Sequence, residues 1–264
     1  MNFNLGEGLF YYLLNTDIGM ADTVKYAVLA ICFTLASIAV GYLLGSVNSA
    51  IVVSRLLYRE DIRSHGSGNA GLTNMLRTYG KGAAGLTLLG DFLKTAIAVF
   101  IGGVLGGFWY IGGISLSGVE TQLPLTYIAG FFSIVGHIWP VFYKFKGGKG
   151  VLCTAVMALI LTPIEFLILF TVFLIIVALT KYVSLGSVTA GILYPIVVNG
   201  HVKVLMGIMN TDAGVVIMQD FIMALITILI AILIVYCHRE NLKRISEGTE
   251  RKLSIGGKKK SDDN

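Results

Sequence analysis

Hydrophobic residues fill most of this chain in long uninterrupted segments, and short polar stretches separate them. A helix that crosses a membrane needs about 20 mostly apolar residues. The segments that meet this requirement are 25–57, 83–107, 126–143, 184–200 and 217–237. The pattern therefore predicts an all-α integral membrane protein with several crossings.

The apolar run 151–180 is interrupted by Thr162-Pro163 and allows two topologies, one tilted helix or a hairpin of two short helices. Loops rich in Lys and Arg tend to face the cytoplasm. The loops around 59–81 and 144–149 are basic, whereas 108–125 carries a single acidic charge. A hairpin keeps every basic loop on one side and leaves the N-terminus outside. We therefore predict a polytopic bundle of about seven transmembrane helices, some short or broken.

Composition agrees with a membrane protein. Of 264 residues, 55% are hydrophobic and 13% are charged, and the mean hydropathy of +0.80 is far above that of an ordinary soluble domain. We divide the chain into an extracytoplasmic or interfacial extension (1–24), a single transmembrane domain (25–253) and a basic, disordered tail (254–264). The extension lacks the features of a cleaved signal, and we expect a short helix over Leu9–Leu14.

The most polar block lies between two apolar segments and reads DIRSHGSGNAGLTNMLR over 61–77. Its glycines, Gly66, Gly68 and Gly71, let backbone N–H groups approach a ligand closely. Arg77 can hold a phosphate with its planar guanidinium. Uncharged hydrogen-bonding side chains come from Ser67, Asn69, Thr73 and Asn74. The alternative is a flexible polar loop whose arginines only set topology.

A second block, GGKG at 147–150, directly precedes the apolar run from Val151. A glycine turn at a helix start can point free N–H groups at an anion. We therefore expect Gly147, Gly148 and Lys149 to contact one. Gly150 stands where a Walker loop requires Ser or Thr, so nucleotide hydrolysis is not indicated. A basic turn that only fixes orientation is an equally good interpretation of this block alone.

The third block, HRENLKRISEGTE over 238–250, follows the last apolar segment. His238 and Asn241 are three residues apart and share a helical face. Either can orient a hydroxyl, and histidine can serve as a base near neutral pH. Taken by itself, the block is better explained as a basic helix against anionic lipid.

Three further polar residues lie inside apolar segments. Asp91 and Lys94 are three apart, which predicts an ion pair facing the bundle interior with a structural role. His137 is expected to be a packed, hydrogen-bonded group.

In order and spacing, the three blocks closely resemble the bacterial acyl-phosphate:glycerol-3-phosphate acyltransferase family, often called PlsY. The matching stretches run over roughly 25–253 and also include Gly45-Ser46, GHIWPVFYKFKGGKGV at 136–151 and YVSLGS at 182–187. The resemblance implies transfer of a fatty acyl group from acyl phosphate to the sn-1 hydroxyl of glycerol 3-phosphate, giving lysophosphatidic acid and phosphate. It also implies a multi-pass protein of the bacterial cytoplasmic (inner) membrane with its active site at the cytoplasmic face.

Carried over residue by residue, the resemblance assigns roles to residues of all three blocks. Arg77 and Lys149 would hold phosphate groups, with Ser67 and Asn69 nearby. His238 and Asn241 would position glycerol 3-phosphate, and Ser184 would support the pocket. Gly66, Gly68, Thr73, Asn74, Gly147 and Gly148 complete the expected binding residues. The substrate phosphate, rather than a strong base, would accept the hydroxyl proton.

Other functions fit the sequence less well. A metal-dependent phosphotransferase for cytidine-diphosphate alcohols needs several aspartates, and only Asp91 lies within a span. No histidine has an aspartate five positions on, so the HxxxxD signature of other glycerolipid acyltransferases is absent. A transporter of an organic phosphate stays the alternative, although no internal repeat is visible. We expect no cofactor, metal or nucleic acid. The expected partners are the substrates glycerol 3-phosphate and acyl phosphate and the lipid bilayer, and the protein is expected to be a monomer.

Overall fold

The structure is a computed structural model, and it describes residues 8–17, 19, 21–106, 124–209 and 216–253. Within those ranges the regular structure is helical throughout. The α-helices, in chain order, are α1 (Gly8–Leu14), α2 (Asp22–Ser46), α3 (Ser49–Tyr58), α4 (Leu72–Tyr79), α5 (Lys81–Gly106), α6 (Leu125–Ile138), α7 (Val151–Leu161), α8 (Pro163–Thr180), α9 (Val183–Met209), α10 (Val216–Cys237) and α11 (Arg239–Ser246).

The prediction of an all-α, polytopic membrane protein is confirmed, but a count of seven crossings is not. Among the described residues, five helical stretches are long and apolar enough to span a bilayer, and a sixth arises if α10 and α11, bent by 52°, form one span. The five are Val24–Tyr58, Lys81–Gly106, Leu125–Tyr143, Pro163–Thr180 and Val183–Gly200. Helix α7 has 11 residues, or about 16 Å at ~1.5 Å per residue, about half the hydrocarbon thickness.

Helices α7 and α8 nevertheless double back. Lys149, just before α7, donates a hydrogen bond to Asn241 on α11. Ser184, in the first turn of α9 and just after α8, accepts one from the same Asn241 at 2.9 Å. Both ends of the pair therefore meet at one residue. The reversal falls where Thr162 ends α7 and Pro163 begins α8, a position at which proline's missing N–H costs nothing.

Close packing of α2 against α6 depends on glycine. A Cβ atom on Gly41 would lie 2.3 Å from the carbonyl oxygen of Ala129, and one on Gly45 would lie 2.1 Å from that of Ser133. The two backbones therefore touch, as in membrane helix pairs with small-residue contacts.

The buried ion pair predicted on α5 is confirmed. Lys94 Nζ lies 2.8 Å from Asp91 Oδ1, 2.9 Å from His137 Nδ1 and 2.9 Å from the carbonyl oxygen of Val47. All three side chains are buried. Because a buried ammonium must have its hydrogen bonds satisfied, this cluster ties α5 to α6 and to the break between α2 and α3.

The predicted N-terminal helix is present as α1. Its Phe10 is fully buried and makes edge-on contacts with Tyr26 and Phe33 of α2. Its position relative to the membrane stays a prediction. The tail 254–264, and all but the last two residues of the 108–125 connection, lie outside the described residues.

Candidate active site

Residues from all three polar blocks line one cavity of about 890 Å³. The lining also includes the start of α9, so stretches far apart in sequence meet. The predicted residues found there are Gly66, Ser67, Gly68, Asn69, Thr73, Asn74, Arg77, Lys149, Ser184, His238 and Asn241. Gly147 and Gly148 are not among the lining residues.

The loop before α4 is held together by the side chain of Asn74. Its Oδ1 accepts a hydrogen bond from the Ser67 N–H at 2.9 Å. Its Nδ2 faces the carbonyl oxygens of His65 and Asn69, both at 3.0 Å, and of Ile62 at 3.3 Å. Asn74 is 1% exposed. We therefore interpret it as the residue that shapes the loop, since both ends of its amide are occupied within the protein.

The loop and the first turns of α4 leave other groups free to face the cavity. Ser67, Thr73 and Arg77 are exposed, and Thr73 and Arg77 lie four apart on one face of α4. Gly68 has a φ of +72°, and the nearest atom to a Cβ placed there is 3.5 Å away. The loop and α4 therefore present a cation and hydroxyl groups. The N–H groups of Gly68 and Gly71, which we expected to approach a ligand, donate instead to the carbonyl oxygens of His65 at 3.0 Å and Asn69 at 3.1 Å.

Arg63 joins the first block to the second. Its guanidinium lies 2.8–2.9 Å from the oxygens of Asp61 and donates to the carbonyl oxygens of Tyr143 at 2.9 Å and Lys146 at 3.0 Å. The hydrogen bond from Arg63 outweighs partial burial and lowers the pKa of Asp61. Arg63 is therefore engaged in holding two loops in register.

The expectation that Gly147 and Gly148 offer free N–H groups to an anion is wrong. The Gly147 N–H donates to the carbonyl oxygen of Ile138 at 3.1 Å, and the Gly148 N–H donates to that of His137 at 3.0 Å. Cβ atoms on these glycines would lie 2.0 Å from His137 O and 2.1 Å from His137 Nε2, respectively. Their role is to let the loop pack against the end of α6.

Lys149 is the part of the second block that reaches the cavity. It is half-buried, and burial lowers its pKa from 10.5 to about 8. The carboxylate of Glu250 opposes this effect, and the nearby Arg244 adds to it. An ammonium that is poorly solvated and lies just before the start of α7 is well suited to bind an anion.

A hydrogen-bond network surrounds Asn241. Its Nδ2 donates to Ser184 Oγ at 2.9 Å and to Glu250 Oε1 at 2.6 Å. Ser184 Oγ donates to the same carboxylate at 2.8 Å, and Arg244 Nε donates to Glu250 Oε2 at 2.7 Å. Burial acts to raise the pKa of Glu250, but these hydrogen bonds outweigh it and the pKa is lowered.

Glu250 and Arg244 were not predicted as site residues, although both line the cavity. The available signal was an acidic residue that follows a run of arginines and lysines. That signal is weak, because only the fold turns the chain after α11 so that residue 250 returns to Ser184.

His238 lies at the bend between α10 and α11 and is 3% exposed. Its Nδ1 is 2.8 Å from the carbonyl oxygen of Ile234. A carbonyl only accepts, so Nδ1 carries the proton and Nε2 is the nitrogen available to a ligand in the neutral ring.

The far part of the cavity is apolar. Phe166, Phe170 and Phe173 of α8 stack with ring centroids 5.5 and 6.2 Å apart, and all three line the cavity. Small residues of α7 and α9 also line it, among them Ala155, Ala158, Ala190 and Gly191. The cavity therefore has a polar, cationic end and an apolar slot. In the described part of the chain no cluster of His, Cys, Asp or Glu is arranged to hold a metal ion.

Comparisons with known proteins agree on one family. A family model described as glycerol-3-phosphate acyltransferase matches residues 35–248. A glycerol-3-phosphate acyltransferase from Finegoldia magna is 37% identical over 212 residues, which cover 80% of this chain and 92% of that protein. One from Syntrophomonas wolfei is 41% identical over 213 residues, which cover 81% and 93%. The crystal structure of PlsY (YgiH), an integral membrane glycerol 3-phosphate acyltransferase, in its glycerol 3-phosphate form superposes with a TM-score of 0.63 at 31% identity, covering 84% of this chain and 96% of that one.

Proposed function

Because this chain belongs to the glycerol-3-phosphate acyltransferase family, we propose that it transfers a fatty acyl group from acyl phosphate to the sn-1 hydroxyl of glycerol 3-phosphate. The products would be lysophosphatidic acid and inorganic phosphate. The observation that carries the proposal is the two-sided cavity, since an acyl phosphate is an anion joined to a long apolar chain.

The chemistry needs alignment more than a strong base. The sn-1 hydroxyl oxygen attacks the acyl carbonyl carbon, the bond from that carbon to the phosphate oxygen breaks, and the hydroxyl proton passes to phosphate. Phosphate is a good leaving group, so holding two anions together in a partly dehydrated site provides much of the rate enhancement. We assign the binding of phosphate groups to Arg77 and Lys149, with Ser67 and Asn69 beside them.

His238 and Asn241 would position glycerol 3-phosphate. The Nε2 atom of His238 can accept from a hydroxyl group. Asn241 already contacts Lys149, Ser184 and Glu250, so it links the cation of Lys149 to α9 and to a carboxylate. Ser184 would keep Asn241 in place.

We propose that the polar end of the cavity faces the cytoplasm, in the inner membrane of a bacterial cell. The doubling back of α7 and α8 supports this orientation, because it brings the basic residues of α11 to the same side as Lys149.

The test uses protein purified in detergent, a long-chain acyl phosphate and glycerol 3-phosphate. We expect phosphate release matched by lysophosphatidic acid, with the ester at sn-1 by NMR. Parallel reactions replace acyl phosphate with acyl-CoA or add a metal chelator. Turnover that requires acyl-CoA would refute the donor assignment. Uptake of glycerol 3-phosphate into liposomes without an acylated product would favour the transporter.

A further inference from the structure

The apolar slot has a closed end, and its position determines how long an acyl chain can lie within it. One stripe of α9 lines the cavity from the polar end inwards, through Ser184, Ser187, Gly191 and Tyr194. Val198, one turn further on, is fully buried and is not among the lining residues. Tyr194 is therefore the deepest lining residue on this helix.

The neighbouring helices end the slot at the same depth. On α7 the deepest lining residue is Ala158, and Leu161, one turn later, is buried in the core beyond it. On α8, which runs back towards the polar end, Phe166 is the first lining residue after the reversal at Thr162. The reversal between α7 and α8 therefore closes the slot.

We propose that Tyr194 forms the floor of the slot and sets the acyl-chain length that the enzyme prefers. The inference rests on the proposed function, because it takes the apolar slot as the acyl site. Tyr194 is 1% exposed and is the largest fully buried side chain among the residues that the structure describes, so a chain end that reaches it cannot push past without repacking the core.

The dimensions fit this role. Ten residues separate Ser184 from Tyr194 along α9, which corresponds to about 15 Å at ~1.5 Å per residue. An extended hydrocarbon advances about 1.3 Å per carbon, given bonds of ~1.5 Å in a zigzag. The straight part of the slot therefore measures roughly a dozen carbons, and the tail of a longer chain must bend or leave between the helices.

Shortening the floor residue should lengthen the preferred chain. Tyr194→Ala removes a ring and hydroxyl that span roughly 5 Å, or about four carbons at ~1.3 Å each. The space that the ring leaves is apolar and accepts an apolar guest. The hydroxyl group lies beside Thr162 and Glu165, so the far end of the space is polar. Tyr194→Phe keeps the ring and should keep the native preference, which separates the volume of the side chain from its hydroxyl group.

A substitution on α7, which also lines the slot, should change the preferred chain length in the opposite direction. Ala158→Leu fills the deep end of the slot and should shift the preference towards shorter chains by about two or three carbons, counting ~1.3 Å per carbon. If Tyr194→Ala does not fold, the product lengths made by Ala158→Leu still test the proposal. Val198→Ala is the matched control, because it removes buried volume from the same helix one turn beyond the cavity.

The experiment supplies glycerol 3-phosphate with an equimolar mixture of saturated acyl phosphates of different lengths and measures the products by mass spectrometry. We expect Tyr194→Ala to raise the ratio of long- to short-chain product about tenfold, the size of effect that one methylene has in an apolar pocket. Ala158→Leu should lower that ratio, and Val198→Ala should leave it unchanged.

Two results would overturn the inference alone. One is an unchanged product ratio in both Tyr194→Ala and Ala158→Leu while total turnover persists. The other is an equal shift in Val198→Ala, because the effect would then not be specific to the slot. If the unmodified protein turned over no acyl phosphate of any length, the proposed function would fail and the inference with it.

Discussion

The two glycine-rich loops of the site differ in how tightly their glycines are packed. In the first loop Gly68 adopts a φ of +72°, and a Cβ atom there would meet only the carbonyl oxygen of Arg63, at 3.5 Å, while Gly66 packs against the Asn74 side chain that holds the loop in shape. In the second loop Gly147 and Gly148 use their N–H groups on carbonyl oxygens of α6 and leave no room for a Cβ atom. Each block contributes a cation, Arg77 or Lys149, but only Gly68 of the first loop leaves room for a Cβ atom, although its N–H also donates to a carbonyl oxygen, that of His65 at 3.0 Å.

A glycine-rich basic turn at a helix start therefore does not by itself predict a backbone anion site. In both loops a carbonyl oxygen of the protein already accepts the glycine N–H, and the loops differ in the room left for a Cβ atom. In the second loop the packed glycines instead fix the position of Lys149, so the anion would be bound by a side chain.

We expect the largest loss of activity when the cation that each block contributes is removed. We expect Lys149→Ala and Arg77→Ala each to lower kcat/KM by about 100-fold or more, the usual cost of losing one charge-stabilising group. The measurement is phosphate release at matched protein concentration. Lys146→Ala is the control, because Lys146 is exposed and does not line the cavity. Near-native turnover in both variants would refute the assignment of phosphate binding.

Replacing one glycine of each loop by alanine tests how tightly each loop is packed. Gly148→Ala places its Cβ 2.1 Å from His137 Nε2 and 2.7 Å from the carbonyl oxygen of Ala70, so the free energy of unfolding should fall by about 3 kcal/mol or more. Gly68→Ala meets only the carbonyl oxygen of Arg63, at 3.5 Å, and mainly strains a positive φ, at about 1 kcal/mol. Thermal unfolding in detergent gives the ranking. Equal shifts in Tm would contradict the difference between the loops.

Truncating Asn74 should loosen only the first loop. Asn74→Ala leaves the Ser67 N–H and several carbonyl oxygens without their partner, and we expect a loss of about 1–3 kcal/mol in stability. Activity should fall in parallel because Ser67 and Arg77 lose their relative positions. Thr73→Ala is the comparison, since Thr73 is exposed and its loss should lower activity without changing Tm. A stable Asn74→Ala protein with lowered activity would instead indicate direct substrate contact.

The smallest effect concerns pH. Burial lowers the pKa of Lys149 to about 8, so its cation is present below that pH and is lost as the pH rises through it. We expect kcat/KM for acyl phosphate to fall towards tenfold per unit above about pH 8, because this parameter reports the free enzyme. Lys149→Arg should move the fall to higher pH, since arginine stays protonated. Initial rates of both proteins between about pH 6.5 and 9.5 test this.

Local patterns predicted much of the protein. Apolar length predicted the spanning helices, and a spacing of three predicted the Asp91–Lys94 pair, because both depend only on nearby residues. Charge bias predicted the doubling back of 151–180 and, with it, the meeting of the polar blocks. The family resemblance, rather than any single block, assigned roles to their residues.

Tertiary placement accounts for what was missed. Nothing in GGKG shows that the carbonyl oxygens of His137 and Ile138 lie opposite its N–H groups. The length of α7 follows from where Thr162 reverses the chain, so a count of crossings from hydropathy overestimates its reach. Glu250 becomes part of the site only because the chain after α11 returns to Ser184 and Asn241.

Because both ends of the α7–α8 pair contact Asn241, the length of the pair can be changed separately from the polar site. Inserting one helical turn on each side of Thr162 would move the reversal outwards while its two anchors stayed in place. Once Tyr194 on α9 is also shortened, the depth of the slot can thus increase in steps of about 5 Å, the pitch of an α-helix, with the polar residues undisturbed. Paired insertions at this reversal, combined with a smaller floor residue, are therefore a route to enzymes tailored for unusually long lipids.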